Sequence, residues 1–302
     1  MTAMKRIYKN RLVLIGTALL TVMCSSEDEI PPVKAALKVM SFNIRMTTEA
    51  DIGDLSWESR RESCVRMIRD VRPDVIGMQE PRPEQRTYLS EALPEYRQFY
   101  IAKNEAHSES QCGHMSLFYL ASRYTLLDSG YFWLSETPDV PSMPRNTTDG
   151  NYRTTLWVHL KENATQKEFY FFTTHLPYKA ENDEPRLLCA RLNVEKMKEI
   201  AGRDMPVFIA GDMNASYATD DKRRSCLNPY YEWMWSGRDA APDSDREYSF
   251  NNFGLSEAKS TWNYDHIFYR RVTPVQFRTI TRADYGVRFV SDHYPIVLTA
   301  EF

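Results

Sequence analysis

Hydrophobic and polar positions follow one another along this chain in short blocks, most of which have a clear period. Leu37 to Ile44 alternates and then becomes apolar, as a strand does. From Trp57 to Val71 apolar residues recur at helical spacing, with several arginines on the opposite face. The same reasoning predicts strands at 37–44, 74–80, 98–103, 115–120, 153–160, 168–176, 207–210, 262–269 and 294–300, an apolar segment at 131–134, and helices at 57–71, 83–93 and 184–203.

Strands that alternate with helices, together with a hairpin through Asn163, predict an α/β fold with mixed sheets. Residues 216–260 are irregular and rich in Tyr, Trp, Asp and Asn. A structureless loop of that length is uncommon, so we expect this region to be functional or to contain short helices.

The strand at 207–210 is the most informative element. Its four apolar residues predict a strand buried on both faces, and it runs directly into Gly211, Asp212 and Asn214. A carboxylate at the end of a buried strand is costly unless it is paired or holds a cation. One interpretation is a pocket shared by Asp212 and Asn214. The other is a turn in which both side chains bind their own backbone.

The same pattern, a polar residue within or at the end of an apolar strand, recurs along the chain. An asparagine such as Asn43 is commonly a hydrogen-bonded core residue, and each example alone has an ordinary structural explanation. Together they predict that the strand ends converge on one cleft, because each unsatisfied buried polar group costs about 1–3 kcal/mol. These residues are Asn43, Glu80, His175, Asp212, Asn214, Asp265, Asp292 and His293.

The N-terminus has the features of an export signal. Four basic residues precede the apolar run Leu12 to Val22, which is too short to span a bilayer, and Cys24 follows. This arrangement resembles a bacterial lipoprotein signal with acylation at Cys24, although Met23 replaces the usual small residue. A plain signal peptide is the alternative. We therefore expect a signal at 1–23, an acidic and proline-containing tether at 24–36, and a catalytic domain at 37–302, exported and anchored to the outer membrane through lipid on Cys24.

Charge and cysteine content narrow the possible functions. The chain has 302 residues, 42% hydrophobic and 26% charged, as is usual for a globular protein. Without residues 1–23 it carries 34 basic and 41 acidic side chains, a net charge of −7, which argues against avid non-specific binding to nucleic acid. The wide spacing of the cysteines matches no zinc pattern. Cys64 and Cys189 fall in predicted helices, and we expect no essential disulfide.

The polar strand-end residues form an oxygen-rich set. Three carboxylates (Glu80, Asp212 and Asp292) and two amides suit Mg²⁺ or Mn²⁺ better than zinc. Histidines beside such a site can transfer protons or stabilise charge on phosphoryl oxygens, and Asp265 is of the right type to orient one. The chemistry that this set fits is metal-assisted hydrolysis of a phosphate ester.

Six motifs in order resemble the endonuclease/exonuclease/phosphatase superfamily, whose best-known member is pancreatic deoxyribonuclease. The resemblance covers residues 37–302. It implies a four-layer sandwich of two mixed β-sheets flanked by helices. The motifs are Ser-Phe-Asn-Ile (41–44), Gly-Met-Gln-Glu (77–80), Thr-Thr-His-Leu (173–176), Gly-Asp-Met-Asn (211–214), Tyr-Asp-His-Ile-Phe (264–268) and Ser-Asp-His-Tyr-Pro-Ile (291–296).

The resemblance also implies roles for the site residues. Asn43, Glu80 and Asp292 would hold the metal, and Asp212 would position or activate the attacking water. His293, oriented by Asp265, would stabilise the transition state, and His175 would be a general acid or a phosphate contact. Asn214 would contact the phosphate, and Arg153 would bind substrate phosphate unless it is an ordinary surface arginine. Gly113-His114 replaces an acidic residue of many relatives, which leaves the carboxylate partner of His175 open, with Glu109 nearby in sequence.

We therefore expect a monomeric Mg²⁺- or Mn²⁺-dependent phosphodiesterase or phosphatase acting on an exported small molecule, sugar phosphate or lipid. A secreted nuclease is the first alternative, with Lys222, Arg223 and Arg224 as local contacts unless they are a solvated helix face. A non-catalytic binding lipoprotein is the second. The aromatic run Tyr230 to Trp235 would line a substrate wall or, more commonly, pack in the core.

Overall fold

The computed structural model describes residues 36–102, 105, 108–218 and 222–302. The predicted signal, the residues 24–35 of the tether with Cys24, and Lys103 at the end of a predicted strand lie outside this part of the chain. Within it, no helix is long and apolar enough to cross a membrane.

Two mixed β-sheets form the centre of the fold, as predicted. The first has the order β10-β12-β13-β1-β2-β4-β3, and the second has the order β5-β6-β7-β8-β11-β9. The pairs β1–β2, β7–β8 and β10–β12 are parallel, and the other pairs are antiparallel. The strands are β1 Ala36–Asn43, β2 Val75–Gln79, β3 Tyr96–Phe99, β4 Met115–Leu120, β5 Tyr124–Trp133, β6 Thr154–Glu162, β7 Glu168–His175, β8 Val207–Asp212, β9 Trp235–Ser236, β10 Asp243–Ser244, β11 Asp265–Arg270, β12 Thr273–Thr279 and β13 Ile296–Glu301.

Helices cover the outer faces of the sheets. The sequence reasoning located the three long helices to within about three residues, including the start of α2 at a proline. Region 216–260 contains short helices, as expected, and two short strands. The α-helices are α1 Trp57–Val71, α2 Pro83–Ala92, α3 Asp183–Ile200, α4 Asn228–Trp233 and α5 Gly237–Ala240.

Strand β8 confirms the prediction of burial on both faces. Phe208 and Ala210 belong to the core that contains residues of both sheets. Val207 and Ile209 belong to a second core, which lies against α3 and includes Val194. The alternation of a strand therefore divides one apolar run between two cores, which is why no polar residue interrupts it.

The two sheets come very close together beneath their strand ends. A Cβ atom added to Gly77 in β2 would lie 2.2 Å from Oγ1 of Thr173 in β7. Only glycine fits there, and this close approach brings the ends of β1 and β2 near the ends of β7 and β8.

Three strands differ most from the sequence expectation. Strand β3, expected at 98–103, spans Tyr96–Phe99. Strand β5 begins at Tyr124, yet only its apolar end was identified, because much of the strand is exposed at the edge of its sheet. Strand β12 was missed. It carries Pro274 near its start, and its register shifts between Pro274 and Gln276.

Candidate active site

The ends of β1 and β2 bring Asn43 and Glu80 together. Asn43 is the last residue of β1, and Glu80 follows β2 with φ 70°, a left-handed conformation that is uncommon outside glycine. The Asn43 amide nitrogen donates to Glu80 Oε1 and to Asp212 Oδ2, both at 3.1 Å. The backbone nitrogen of Met46 donates to Glu80 Oε2 at 3.0 Å. One asparagine therefore joins the strand ends of both sheets.

Asp212 and Asp265 lie opposite one another where β8 ends and β11 begins. Asp265 Oδ2 lies 2.8 Å from His293 Nδ1, and His293 Nε2 lies 3.7 Å from Asp212 Oδ2. Asn214 has φ 48°; its backbone nitrogen donates to Asp212 Oδ1 and its amide donates to the Leu176 carbonyl. Both interpretations of this segment therefore apply: Asp212–Asn214 forms a local turn, and its side chains also share a pocket.

The charges of this group are strongly perturbed. Burial alone would lower the pKa of His293, but Asp265 and Asp212 raise it to about 10, so this imidazole is protonated at neutral pH. Burial raises the pKa of Asp212, and the charge of Asp265 adds to the rise. A carboxylate with a raised pKa beside a charged imidazolium is typical of acid–base sites.

His175 approaches the same Asp212 oxygen as His293 does. The parallel register of β7 and β8 pairs the two residues, and His175 Nε2 is 3.5 Å from Asp212 Oδ2. Burial lowers the pKa of His175, and the nearby charge of Arg153 lowers it further. Glu109, which lies near His114 in sequence and was considered as the carboxylate partner of His175, instead pairs with Arg86 at 2.5 Å. His175 is therefore a neutral imidazole whose nearest carboxylate is Asp212.

Asp292 joins the site through the loop before β13. Ser291 Oγ donates to the Asn43 carbonyl at 2.7 Å and lies 3.2 Å from Asp292 Oδ1. Arg45 Nη1 is 3.5 Å from Asp292 Oδ2, and the Arg45 guanidinium is also held by Asp51. Burial raises the pKa of Asp292. With this loop in place, all eight strand-end residues form one connected cluster, as the sequence predicts.

The residues around Glu80 fit a divalent cation. Glu80 and Asp292 bring carboxylates together beside Asn43, and the charge of Glu80 contributes to the raised pKa of Asp292. A bound cation would relieve this repulsion, and carboxylate and amide oxygens are ligands for Mg²⁺ or Mn²⁺.

A second group of possible metal ligands is Asp212, Asp265 and His293, whose ligand atoms lie within 4.8 Å of one another. His293 Nδ1 is hydrogen-bonded to Asp265, which leaves Nε2 as its other ring nitrogen. This second group is therefore a possible metal site beside the residues around Glu80.

Arg153 is buried and lies close enough to His175 to perturb its pKa. Its Nη2 atom is 3.1 Å from Asp149 Oδ2, and its buried Nε atom has no hydrogen-bond partner among the described residues. The alternative of an ordinary surface arginine is therefore wrong.

Three residues that support the site were missed. Arg60, in the arginine-rich face of α1 that was expected to be exposed, is buried and donates to the carbonyls of Ile44 and Val290. Buried Gln85 binds the backbone of Arg45, Thr47 and Arg82. Arg45 was also missed, and its place two residues after Asn43 was the one signal in the sequence.

The residues expected to contact nucleic acid or to line a substrate wall differ in their burial and contacts. Lys222–Leu227 forms a short 3-10 helix in which Arg223 stacks on Tyr264. Tyr230 is buried in the second core, whereas Trp235 at the end of the aromatic run is 69% exposed. The four described cysteines are buried and unpaired.

The two-sheet α/β sandwich and its acidic strand-end site define a class of hydrolases that act on phosphate esters. The chain belongs to the endonuclease/exonuclease/phosphatase family, whose model matches residues 40–293. Enzymes of this family generally use divalent metals.

Several relatives match nearly the full described chain. A family member of known structure from Bacteroides vulgatus is 28% identical with a TM-score of 0.78, covering 89% of this chain and 100% of its own. The mannosyl-6-phosphatase of Bacteroides thetaiotaomicron is 28% identical with a TM-score of 0.76, covering 88% and 100%. An uncharacterised protein of Acanthamoeba polyphaga mimivirus is 25% identical over 279 residues, covering 88% of this chain and 100% of that protein.

Proposed function

We propose that this protein is an exported phosphatase or phosphodiesterase that requires Mg²⁺ or Mn²⁺ and acts on a small phosphate ester, with sugar phosphates as the favoured substrates. The observation that carries the proposal is the position of Asp212. Its buried carboxylate lies 3.5 Å from His175 and 3.7 Å from the protonated His293, beside the carboxylates of Glu80 and Asp292. The likeness to a mannosyl-6-phosphatase supports a sugar phosphate.

In the proposed reaction Asp212 positions and deprotonates the attacking water, for which its raised pKa suits it. His293, kept protonated by Asp265, stabilises the negative charge that develops on the phosphoryl oxygens. His175 donates a hydrogen bond to the phosphate as a neutral imidazole, because its lowered pKa disfavours a general acid at neutral pH. The second amide hydrogen of Asn214 and the buried Arg153 provide further phosphate contacts.

Asn43, Glu80 and Asp292 would hold the metal. A bound Mg²⁺ or Mn²⁺ supplies a Lewis acid that polarises the phosphoryl group. Arg45 neutralises part of the charge of Asp292 and keeps this carboxylate in place.

The test is phosphate release from sugar phosphates, phospholipids, nucleic acids and bis-p-nitrophenyl phosphate, measured with Mg²⁺ or Mn²⁺ and with EDTA. We expect hydrolysis of small esters that EDTA abolishes and that added metal restores. Plasmid nicking without activity on small esters would identify a nuclease. A folded protein that binds these compounds but hydrolyses none of them with either metal would identify a binding protein.

The proposed location rests on residues 1–24 alone. Export with lipid on Cys24 predicts that the protein incorporates labelled palmitate and fractionates with the outer membrane, and that Cys24→Ser abolishes both. Unchanged labelling of Cys24→Ser would contradict the anchor. We further propose that the domain is a monomer, which size-exclusion chromatography with light scattering checks.

A further inference from the structure

A second cluster of polar side chains lies beside Glu80, and the proposed reaction gives it no task. Arg82 follows Glu80 by two residues, immediately before α2. Arg82 Nη1 is 2.9 Å from His114 Nε2, and Nη2 is 3.1 Å from Met46 Sδ. The backbone of Met46 in turn donates to Glu80 at 3.0 Å. The guanidinium of Arg82 therefore packs against the loop that holds Glu80.

Arg82 differs from the neighbouring arginines because these are paired with carboxylates. Arg45 is paired with Asp51 at 2.9 Å, and Arg86 is paired with Glu109 at 2.5 Å. Within the described part of the chain, no carboxylate lies within 4.0 Å of the Arg82 guanidinium. Its side-chain partners are an imidazole nitrogen and a thioether sulfur, which are both uncharged acceptors. The partly exposed cation thus keeps donor capacity for an anion.

His114 has an unused donor of its own. Burial lowers the pKa of His114 to about 4, and the charge of Arg82 contributes, so the ring is neutral at neutral pH. A guanidinium can only donate, so Nε2 accepts from Arg82 and the ring proton lies on Nδ1. The buried Nδ1 has no hydrogen-bond partner among the described residues. An unsatisfied buried donor of this kind is unfavourable, and a bound oxyanion or water would supply its missing acceptor.

His114 is also close to the reaction site. The charge of Glu80 acts on His114, and His114 in turn acts on His175. Its backbone has φ 48°, a left-handed conformation that non-glycine residues adopt most often at functional positions and turns. This side of the site therefore carries a cation, Arg82, and a neutral donor, His114.

We propose that Arg82 and His114 form a subsite for a second anionic group of the substrate, a phosphate or a carboxylate distinct from the phosphoryl group that reacts. This inference rests on the proposed function. The reacting phosphoryl group already has donors in His175, Asn214 and His293 around Asp212. Arg82 is connected to the site through His114 and through Met46, whose backbone donates to Glu80. A guanidinium offers paired N–H donors that match the oxygens of a carboxylate or phosphate.

The test compares pairs of esters that differ in one anionic group. Glycerol 3-phosphate and 3-phosphoglycerate differ in a carboxylate, and fructose 6-phosphate and fructose 1,6-bisphosphate differ in a phosphate. We expect the unaltered protein to favour the more anionic member of at least one pair by about tenfold in kcat/KM, since charge-assisted hydrogen bonds are worth more than about 1.4 kcal/mol. A preference in the first pair would indicate a carboxylate subsite, and a preference in the second pair would indicate a phosphate subsite.

Arg82→Gln should bring this ratio close to one, mainly through a higher KM for the more anionic member. Arg82→Lys keeps the charge without the paired donors and should retain part of the preference. Arg97→Gln is the matched control, because Arg97 is an exposed arginine on β3, in the sheet that contains β2. This variant should leave the ratio unchanged.

Three results would overturn the subsite: no preference in the unaltered protein, a preference that survives Arg82→Gln, or an equal loss for both members of a pair. If no ester is hydrolysed, the proposed function fails and binding decides the subsite. Calorimetry with 3-phosphoglycerate and fructose 1,6-bisphosphate in Mg²⁺ would then show binding that Arg82→Gln removes and Arg97→Gln keeps. Equal binding by both variants would contradict the subsite.

Discussion

Buried charges gather at both ends of the β-sheets, and the two groups are built differently. At the end opposite the candidate site, Arg123 Nη1 donates to Asp74 Oδ1 at 2.6 Å and its Nε donates to Glu162 Oε1 at 2.8 Å. The third nitrogen donates to the Ala36 carbonyl. The remaining oxygens of the two acids accept from the Lys38 backbone and the Thr165 hydroxyl. Every polar atom of these three charged groups therefore has a partner.

In the candidate site, unlike the network around Arg123, several buried polar atoms lack hydrogen-bond partners among the described residues. Four buried or half-buried carboxylates, those of Glu80, Asp212, Asp265 and Asp292, lie near the imidazolium of His293 and the guanidinium of Arg45. Asp265 Oδ1, His114 Nδ1 and Arg153 Nε are buried without partners among the described residues. A ligand would complete these unsatisfied groups, whereas the charged groups around Arg123 already have their partners. This difference separates a binding site from a structural ion network.

The largest effect is expected at Asp212. Asp212→Ala removes the carboxylate that lies within 4 Å of both His175 and His293. The value of kcat should fall by at least about 100-fold, which is the size of loss seen when transition-state contacts are removed. Phosphate release with excess Mg²⁺ measures this loss.

Burial raises the pKa of both Asp212 and Asp74, but the charge of Asp265 also acts against the ionised form of Asp212, whereas Asp74 is paired with Arg123. The melting temperature of Asp212→Ala should therefore be no lower than that of the unaltered protein. A fully active Asp212→Ala protein would contradict the assignment of the site, and a large fall in melting temperature would place Asp212 with the structural network.

A smaller effect is expected at Asp265, which acts through His293. Asp265→Asn removes the negative charge that keeps the pKa of His293 near 10, so the folded-state pKa of His293 should fall. The imidazolium would then lose its proton at lower pH, and the alkaline limb of the pH–rate profile should move to lower pH, with kcat reduced about tenfold or more at pH 8. An unchanged alkaline limb would show that His293 does not act as a cation. Asp51→Asn is the control, since Asp51 contacts Arg45 and no histidine.

Much of the site was predictable because several of its residues end strands that the apolar pattern locates. Asp212 is the clearest case, since four apolar residues buried on both faces run directly into it. The same holds for Asn43 and Glu80, whose strands β1 and β2 are parallel neighbours that end together. Burial on both faces leaves a strong signal in the sequence, and parallel pairing brings the ends of strands to one edge.

The rest depends on contacts between residues that are distant in sequence. Gln85 lies in an ordinary helix start, and only the fold shows its side chain bound to the backbone of Arg45, 40 residues earlier. Glu109, which is near His114 in sequence, was a candidate partner of His175, yet it pairs with Arg86. The left-handed backbone of Glu80 and Arg45 also has no sequence signal, because neither residue is glycine or asparagine.

The smallest effect on activity is expected in the structural network. Asp74→Ala leaves Arg123 with Glu162 but removes the acceptor for the Lys38 backbone. The free energy of unfolding should therefore fall by about 2–3 kcal/mol. This loss is smaller than for a fully buried pair because Arg123 is 30% exposed. The value of kcat/KM should stay within about threefold of the unaltered protein. Urea denaturation and phosphate release check the two expectations. Asp243→Ala is the matched control, because the Asp243–Arg278 pair is exposed and its loss should change the free energy of unfolding far less. If Asp74→Ala lost activity at a temperature where it stayed folded, the distinction between the two ends of the sheets would be wrong.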